Sequence, residues 1–210
     1  MYTPESFRES DRAVAFELID AFGFATLVSG AAGELVVSHV PLILDQSVPD
    51  RPRLLGHVAR ASKHWKHFDG AQAALAIFHG PHAYVSPSWY ANHPSVPTWN
   101  YAVVHVHGAP SVVRAEETWE ILRRLIDQYE ARRSEPWKPE LSAELIEDYL
   151  KAIVGFQMPV ERFEAKFKLS QNKDEADRLG ALAGLEREGE AESRRLAAFA
   201  REYFERKRGG

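Results

Sequence analysis

The residues best suited to chemistry in this chain are its nine histidines, all of which lie between His39 and His107. Three pairs have a spacing at which two imidazoles could bind one metal ion: residues 64 and 67, 79 and 82, and 105 and 107. A zinc site needs three or four converging ligands, and the chain has no cysteine to complete such a set. We therefore expect the histidines to line a pocket or to bond to the backbone, and we assign no metal ligand.

A second candidate is the segment GHVARASK, residues 56–63. A strand is expected to end here, and a short helix over residues 62–68 to begin with Ser62 as its N-cap. Unpaired amides, the helix dipole and two cations together favour an anion. The segment therefore predicts a phosphate site at Arg60, Ser62 and Lys63, although basic residues also occur at helix starts without a ligand.

A third candidate is the aromatic segment GPHAYVSPSWY, residues 80–90, followed by PTWNY at 97–101. Prolines stiffen such a segment, and aromatic walls with a few polar groups at the edge suit a flat heteroaromatic ligand. The same composition is typical of a loop that seals a barrel end or a subunit interface. Composition alone leaves both interpretations open.

The elements that must position these residues are mostly strands in the first half of the chain. Runs of β-branched and aromatic residues, separated by Gly and Pro, predict strands at 24–29, 35–44, 54–59, 73–78, 83–85 and 101–113. Residues 30–33, GAAG, predict a hairpin connection. Close spacing with little intervening helix favours an antiparallel barrel over a parallel sheet.

Helices are expected on either side of this β-rich part. An amphipathic helix is predicted over residues 11–22, and two more after the barrel, separated by a connector at 134–139. Their predicted apolar faces are Trp119, Leu122, Ile126 and Tyr129, and Leu145, Ile146, Tyr149, Leu150 and Ile153. An alternating strand is predicted over 154–169. The tail from Asp174 is predicted to be helical, in two pieces around Gly184 and Gly189, with a stripe of Leu196, Phe199, Ala200 and Tyr203.

Composition limits the possible functions. Hydrophobic residues make up 45% and charged residues 27% of the 210 residues, as in an ordinary globular protein. The net charge of -4 gives no global attraction to nucleic acid, so DNA is a possible partner that charge does not support. No stretch approaches the roughly 20 apolar residues that span a bilayer. We expect a cytoplasmic protein without a membrane partner.

Four segments in one order carry a family resemblance: GHVARASKHW (56–65), FHGPHAYVSPSWY (78–90), VPTWNYAVVHVHG (96–108) and KFKLSQN (166–172). Together with the opening MYTPESF and the central FATLVSG, they resemble the PaiB family of FMN-binding negative transcriptional regulators. The resemblance implies a mainly β fold with flanking helices, the antiparallel FMN-binding split β-barrel. It implies a split-barrel domain over residues 1–170 with a C-terminal helical extension over 171–210.

The resemblance also implies a flavoprotein homodimer with FMN, or a similar flat phosphorylated ligand, in pockets at the subunit interface. It implies a repressor of sporulation and degradative-enzyme genes. By position it assigns the phosphate to Arg60, Ser62 and Lys63. The candidate ring-edge and second-subunit contacts are His82, Tyr84, Ser86, Trp99, Asn100, Lys168, Ser170, Gln171 and Asn172.

Two alternatives stay open at this point. A flavin oxidoreductase related to pyridoxamine-phosphate oxidases would need a second cationic cluster for a phosphorylated substrate, and the sequence shows no convincing one. A haem-binding split barrel is encouraged only by the histidine content. No nucleophile–base pattern stands out, so we assign no catalytic residue and favour a binding protein over an enzyme. The mixed charges of the C-terminal helices predict a solvated docking face more than a DNA-reading helix.

Overall fold

The computed structural model describes residues 1–31, 33–138 and 140–209. Within them, nine strands form one sheet in the order β1-β9-β6-β5-β2-β3-β4-β8-β7. The strands are β1 Arg8–Glu9, β2 Phe24–Ala31, β3 Glu34–Asp45, β4 Arg53–Ala59, β5 Ala74–Val85, β6 Thr98–Gly108, β7 Ser111–Val112, β8 Ile153–Pro159 and β9 Arg162–Lys168. The pairs β2–β3, β2–β5, β3–β4 and β4–β8 are antiparallel, which confirms the predicted class.

Five helices accompany the sheet in the described residues: α1 Arg12–Ala21, α2 Ala115–Glu130, α3 Ala143–Ala152, α4 Glu175–Glu188 and α5 Ala191–Gly209. No helix within the described ranges is long and apolar enough to cross a membrane. Gly33, with φ of +86°, follows β2 in the predicted hairpin connection. Ala32 of that connection and Pro139 of the later connector lie outside the described residues.

Four predicted strands had wrong boundaries. The two strands predicted at 73–78 and 83–85 are one strand, because the fixed φ of Pro81 is compatible with an extended backbone. The strand predicted over 101–113 breaks between β6 and β7 at Pro110, which has no N–H for the ladder. The strand predicted over 154–169 is interrupted after Pro159, where the backbone N–H of Val160 donates to the carbonyl of Pro52 at 2.9 Å.

The buried face of α2 differs from the prediction by one position. Thr118, Ile121 and Leu125 are buried, and the predicted face residues are only partly buried. The hydroxyl of Thr118 donates to the carbonyl of Arg114 at 2.9 Å, so its polar group is satisfied inside. Thr118 fits there because it packs on Gly155, where a Cβ would overlap it.

Two further helix predictions need correction. No residue of α3 is buried, and its predicted face residues Leu145 and Tyr149 are 39% and 50% exposed. The tail is helical as predicted, but α4 passes through Gly184 and ends only at Gly189, whose φ is +78°.

The chain forms two compact units. The first consists of residues 1–15, 79–104 and 164–210. Its core includes Val85, Tyr90 and Ala181, and the α5 residues Phe199 and Tyr203 lie edge-on against Phe167 at 5.4 and 5.5 Å. The second unit consists of residues 16–78 and 105–163, and α2 packs there on β3 and β4 through Ile43, Leu55, Ile121 and Leu125. The division proposed at residue 170 stays a prediction.

Candidate functional site

The predicted phosphate residues lie together on an exposed segment of the second unit, between β4 and β5. Arg60, Ser62 and Lys63 are all exposed. The guanidinium of Arg60 donates from Nε to the carbonyl of Lys151 and from Nη2 to that of Ile153, both at 2.8 Å. These bonds tie the segment to the end of α3 and the start of β8. We call residues 60–63 the anion segment.

The helix predicted over 62–68 is wrong in detail. Two 3-10 turns, Arg60–Ser62 and His64–His67, replace it. Ser62 ends the first turn, and its hydroxyl accepts from the His64 backbone N–H at 3.4 Å. Lys63 separates the turns with φ of 61° and ψ of -6°, the left-handed region. A short turn adds little dipole, since the macrodipole is a sum over many aligned peptides. Attraction for an anion therefore rests on the two cations.

The left-handed conformation of Lys63 is unfavourable for a residue with a Cβ and needs support from its surroundings. Among the described residues only Lys63 and Ser170 have positive φ without being glycine. Both are residues that the sequence assigned to the cofactor site. Such strain is concentrated at functional sites more often than elsewhere.

Directly beneath the anion segment lies a hydrogen-bond network of Ser38, His64, Ser29 and His67, which no local sequence pattern predicts and which we call the His64 network. The ring of His64 is fully buried, with Nδ1 2.7 Å from the hydroxyl of Ser38 and Nε2 2.9 Å from that of Ser29. The Ser29 hydroxyl is also 2.9 Å from Nδ1 of His67. Burial, together with the nearby His67, lowers the pKa of His64. The imidazole is therefore held in its neutral form.

In the first unit, the predicted ring contacts form an exposed aromatic cluster. The ring centroid of Trp99 lies 6.4 Å from the ring centroid of His82 and 6.2 Å from that of Tyr84. Trp99 and Tyr84 are 55% and 46% exposed, although both are on strands. Exposed aromatic groups of this kind mark a surface that another molecule covers. We call His82, Tyr84 and Trp99 the aromatic cluster.

Lys168 at the end of β9 lies beside this cluster. Its ammonium donates to the carbonyl of Trp99 at 2.6 Å and to the hydroxyl of Thr98. Burial and the neighbouring Lys166 lower the pKa of Lys168. The lysine is thus fixed by polar groups of β6.

Asn100 and Ser170 form a buried pair in the same unit. The side-chain nitrogen of Asn100 donates to the hydroxyl of Ser170 at 2.9 Å. The Oδ1 atom of Asn100 is buried and has no hydrogen-bond partner among the described residues. A buried amide oxygen without a partner is costly, so this atom is a candidate acceptor for a ligand donor.

The last three predicted residues have local or no described roles. Ser86 caps the 3-10 turn Pro87–Trp89, its hydroxyl accepting from the Ser88 backbone at 3.3 Å. The Gln171 amide accepts from the N–H of Leu169 at 2.6 Å and donates to the carbonyl of Phe167. Asn172 is exposed. The ligand roles of all three stay predictions.

The loop between β5 and β6, which separates Tyr84 from Trp99 in the sequence, is anchored by glycines that local sequence patterns did not identify. A Cβ at Gly180 would overlap the carbonyl oxygen of Trp89, and one at Gly184 would overlap its indole ring. The Asn92 backbone also donates to the carboxylate of Asp177 at 2.9 Å. The signal was present as two glycines four residues apart on one helix face, which permit close approach.

No group of three or more His, Cys, Asp or Glu side chains among the described residues could hold a metal ion. His64 and His67, one of the three spaced pairs, are instead joined through Ser29.

Comparison with known proteins gives a family match. Residues 1–162 match the family described as "Putative FMN-binding domain". The chain is 35% identical over 199 residues to the "Protease synthase and sporulation protein PAI 2" of Bacillus subtilis, covering 94% of this chain and 95% of that protein.

Solved structures share the fold at low identity. The FAD and heme binding protein from Mycobacterium smegmatis has a TM-score of 0.61 at 15% identity, covering 83% of this chain and 79% of that one. The flavocytochrome Anf3 from Azotobacter vinelandii has a TM-score of 0.59 at 15% identity, covering 77% and 69%. These similarities confirm the predicted fold class, the antiparallel split β-barrel.

Proposed function

Because the chain belongs to the PaiB family of FMN-binding proteins, we propose that it is a homodimeric, FMN-dependent negative regulator of transcription. FMN is the cofactor of this family. The homodimer, the regulatory role, a cytoplasmic location and the individual contacts are parts of the proposal.

The described residues suit FMN in three respects. Arg60 and Lys63 offer exposed cations for a dianionic phosphate. The aromatic cluster offers flat surfaces for a ring system. The N–H of the flavin ring needs an acceptor, and the buried Oδ1 of Asn100 is an acceptor without a hydrogen-bond partner among the described residues. Bound FMN supplies a ring that can exchange electrons.

The observation that carries the phosphate assignment is the conformation of Lys63. A lysine held in the left-handed region between two turns presents its ammonium from a backbone of defined geometry. Such preorganisation reduces the entropy lost on binding a ligand. Arg60 contributes a second positive charge, although part of its guanidinium already binds two carbonyls.

Titration of FMN and riboflavin tests the phosphate assignment. Replacing Lys63 by Ala should weaken FMN by about ten- to a hundredfold, since a charge-assisted hydrogen bond contributes roughly 1.5–3 kcal/mol. Arg60→Ala should have an effect of about the same size. Riboflavin lacks the phosphate and should lose far less with either variant.

Lys66→Ala is the matched control, because this exposed lysine lies on the same stretch three residues further on. It should leave the affinity for both flavins unchanged. Equal losses for FMN and riboflavin in Lys63→Ala, or undiminished FMN binding, would place the phosphate elsewhere.

Exposed apolar residues on the sheet support the homodimer. Phe24, Leu35 and Val37 are 64%, 75% and 51% exposed. The register of β2 with β3 pairs Phe24 with Pro41 and Val37 with Val28, which puts these apolar side chains on one face. A solvated sheet face usually carries polar residues, so a second copy of the chain is the occupant that we propose.

Sedimentation equilibrium tests the assembly. The protein should sediment at twice the mass of one chain at micromolar concentration, and Val37→Glu should shift it towards the monomer. Leu179→Glu on α4 is the control, because Leu179 has the same 51% exposure as Val37 but lies outside the sheet. A wild-type protein that sediments as a monomer would refute this part of the proposal.

The regulatory role is supported by the relative. The chain is 35% identical over nearly its whole length to a protein named for protease synthesis and sporulation. We expect deletion of the gene to raise the transcripts of its targets, and the wild-type gene to restore repression. The Lys63→Ala gene should restore it only partly if FMN is required. An unchanged transcript profile after deletion would contradict a repressor.

A further inference from the structure

In the His64 network beneath the anion segment, the number of available protons restricts the direction of each hydrogen bond. The Ser29 hydroxyl lies 2.9 Å from both the Nε2 of His64 and the Nδ1 of His67. A hydroxyl has one proton, so it donates to one nitrogen and accepts from the other. A neutral His64 likewise has one N–H, which points either to Ser29 or to Ser38. All hydrogen bonds of the network therefore run in one direction, so a change in the donor at one end changes the donors along the whole network.

The His64 network anchors the anion segment to two strands. Ser29 belongs to β2 and Ser38 to β3, so His64 is held at both ring nitrogens by different strands. Lys63 is the residue immediately before His64. With His64 fixed in position and the Lys66 N–H donating to the Lys63 carbonyl at 3.0 Å, the backbone at Lys63 has little freedom to leave the left-handed region.

We propose that Ser38, His64 and Ser29 are positioning residues that hold Lys63 in its left-handed conformation and so set the affinity of the anion segment for a flavin phosphate. This inference rests on the proposed function, because it takes residues 60–63 as the phosphate site. These residues act through Lys63 and do not touch the ligand.

Ser38 is the residue on which to test the inference, because it is only partly buried and its replacement is expected to leave the fold intact. Ser38→Ala removes the partner of Nδ1 of His64, and Ser38→Thr retains a hydroxyl. The control is Thr118→Val. It also removes one hydroxyl hydrogen bond in the same unit, the 2.9 Å bond that Thr118 donates to the carbonyl of Arg114, but in α2 and not in β2 or β3.

Dissociation constants for FMN and riboflavin should be measured for the wild type and the three variants, with thermal unfolding to confirm folding. Ser38→Ala should weaken FMN roughly two- to tenfold, the effect of losing one hydrogen bond, and leave riboflavin unchanged. Ser38→Thr should restore FMN binding. Thr118→Val should change neither affinity.

The outcomes separate this inference from the function it rests on. If Lys63→Ala weakens FMN but Ser38→Ala does not, the positioning role is refuted and the phosphate site stands. If Ser38→Ala weakens the binding of both flavins equally, the His64 network only supports the fold, and the inference is again overturned. If the wild type binds FMN no better than riboflavin and Lys63→Ala has no effect, the phosphate site and the inference fail together.

Discussion

Replacing Gly184 by Ala should destabilise the protein, although the same change in an ordinary helix would stabilise it. Ala is favoured over Gly inside a helix by about 1 kcal/mol. A Cβ at position 184 would, however, overlap the indole ring of Trp89, and overpacking of this kind costs about 1–3 kcal/mol. The net loss should be up to about 2 kcal/mol, or up to about 8 °C in Tm for a chain of this size.

A second substitution can isolate the cause. With Trp89→Ala already present, the ring is gone and Gly184→Ala should become stabilising by about 1 kcal/mol, the helix-propensity gain alone. Gly180→Ala is the matched comparison. Its Cβ would overlap the backbone oxygen of Trp89, which every residue has, so it should destabilise the protein in both backgrounds.

Thermal and urea unfolding of wild type, Trp89→Ala and the glycine variants in both backgrounds gives the full cycle. A sign reversal for Gly184→Ala but not for Gly180→Ala would establish the close approach. If Gly184→Ala stabilises the protein with Trp89 in place, the packing described for the loop after β5 is wrong. FMN binding should weaken with stability only if this loop supports the aromatic cluster.

Two further predictions concern stability in the second unit. Asp45 is buried, which raises its pKa, but hydrogen bonds from Arg53 and Arg124 outweigh burial and lower the pKa to about 2. The ionised carboxylate stabilises the fold by on the order of 1–2 kcal/mol. This contribution is complete above about pH 4 and is lost as pH falls through about 2. In urea unfolding, Asp45→Asn should therefore lose less free energy of unfolding than wild type between about pH 4 and 2. Gly155→Ala should cost about 1–3 kcal/mol, because its Cβ would overlap Thr118; a Tm equal to wild type would contradict the tight contact of α2 with β8.

The sequence by itself determined the class of fold and most elements. Alternating and β-branched runs identify strands because residues two apart share a sheet face, and β2, β3 and β4 lie where those runs predict. Local motifs also identified the family, which the match over residues 1–162 confirms. Hydrophobic spacing alone misplaced the buried face of α2, because a threonine that satisfies its own hydroxyl can enter the core beside a glycine.

Only the tertiary structure decided how the candidate site is supported. The bonds that hold His64 join residues 26 and 35 positions apart, and no local pattern encodes a contact that depends on the pairing of β2 with β3. The contacts of Gly180 and Gly184 with Trp89 likewise require α4 to lie against a loop about 90 residues earlier in the chain. The positive φ of Lys63 is unfavourable for its own side chain, so local preference predicts a helix there. Its conformation depends on the buried histidine beside it, which is why sequence identified the cations but not what holds them.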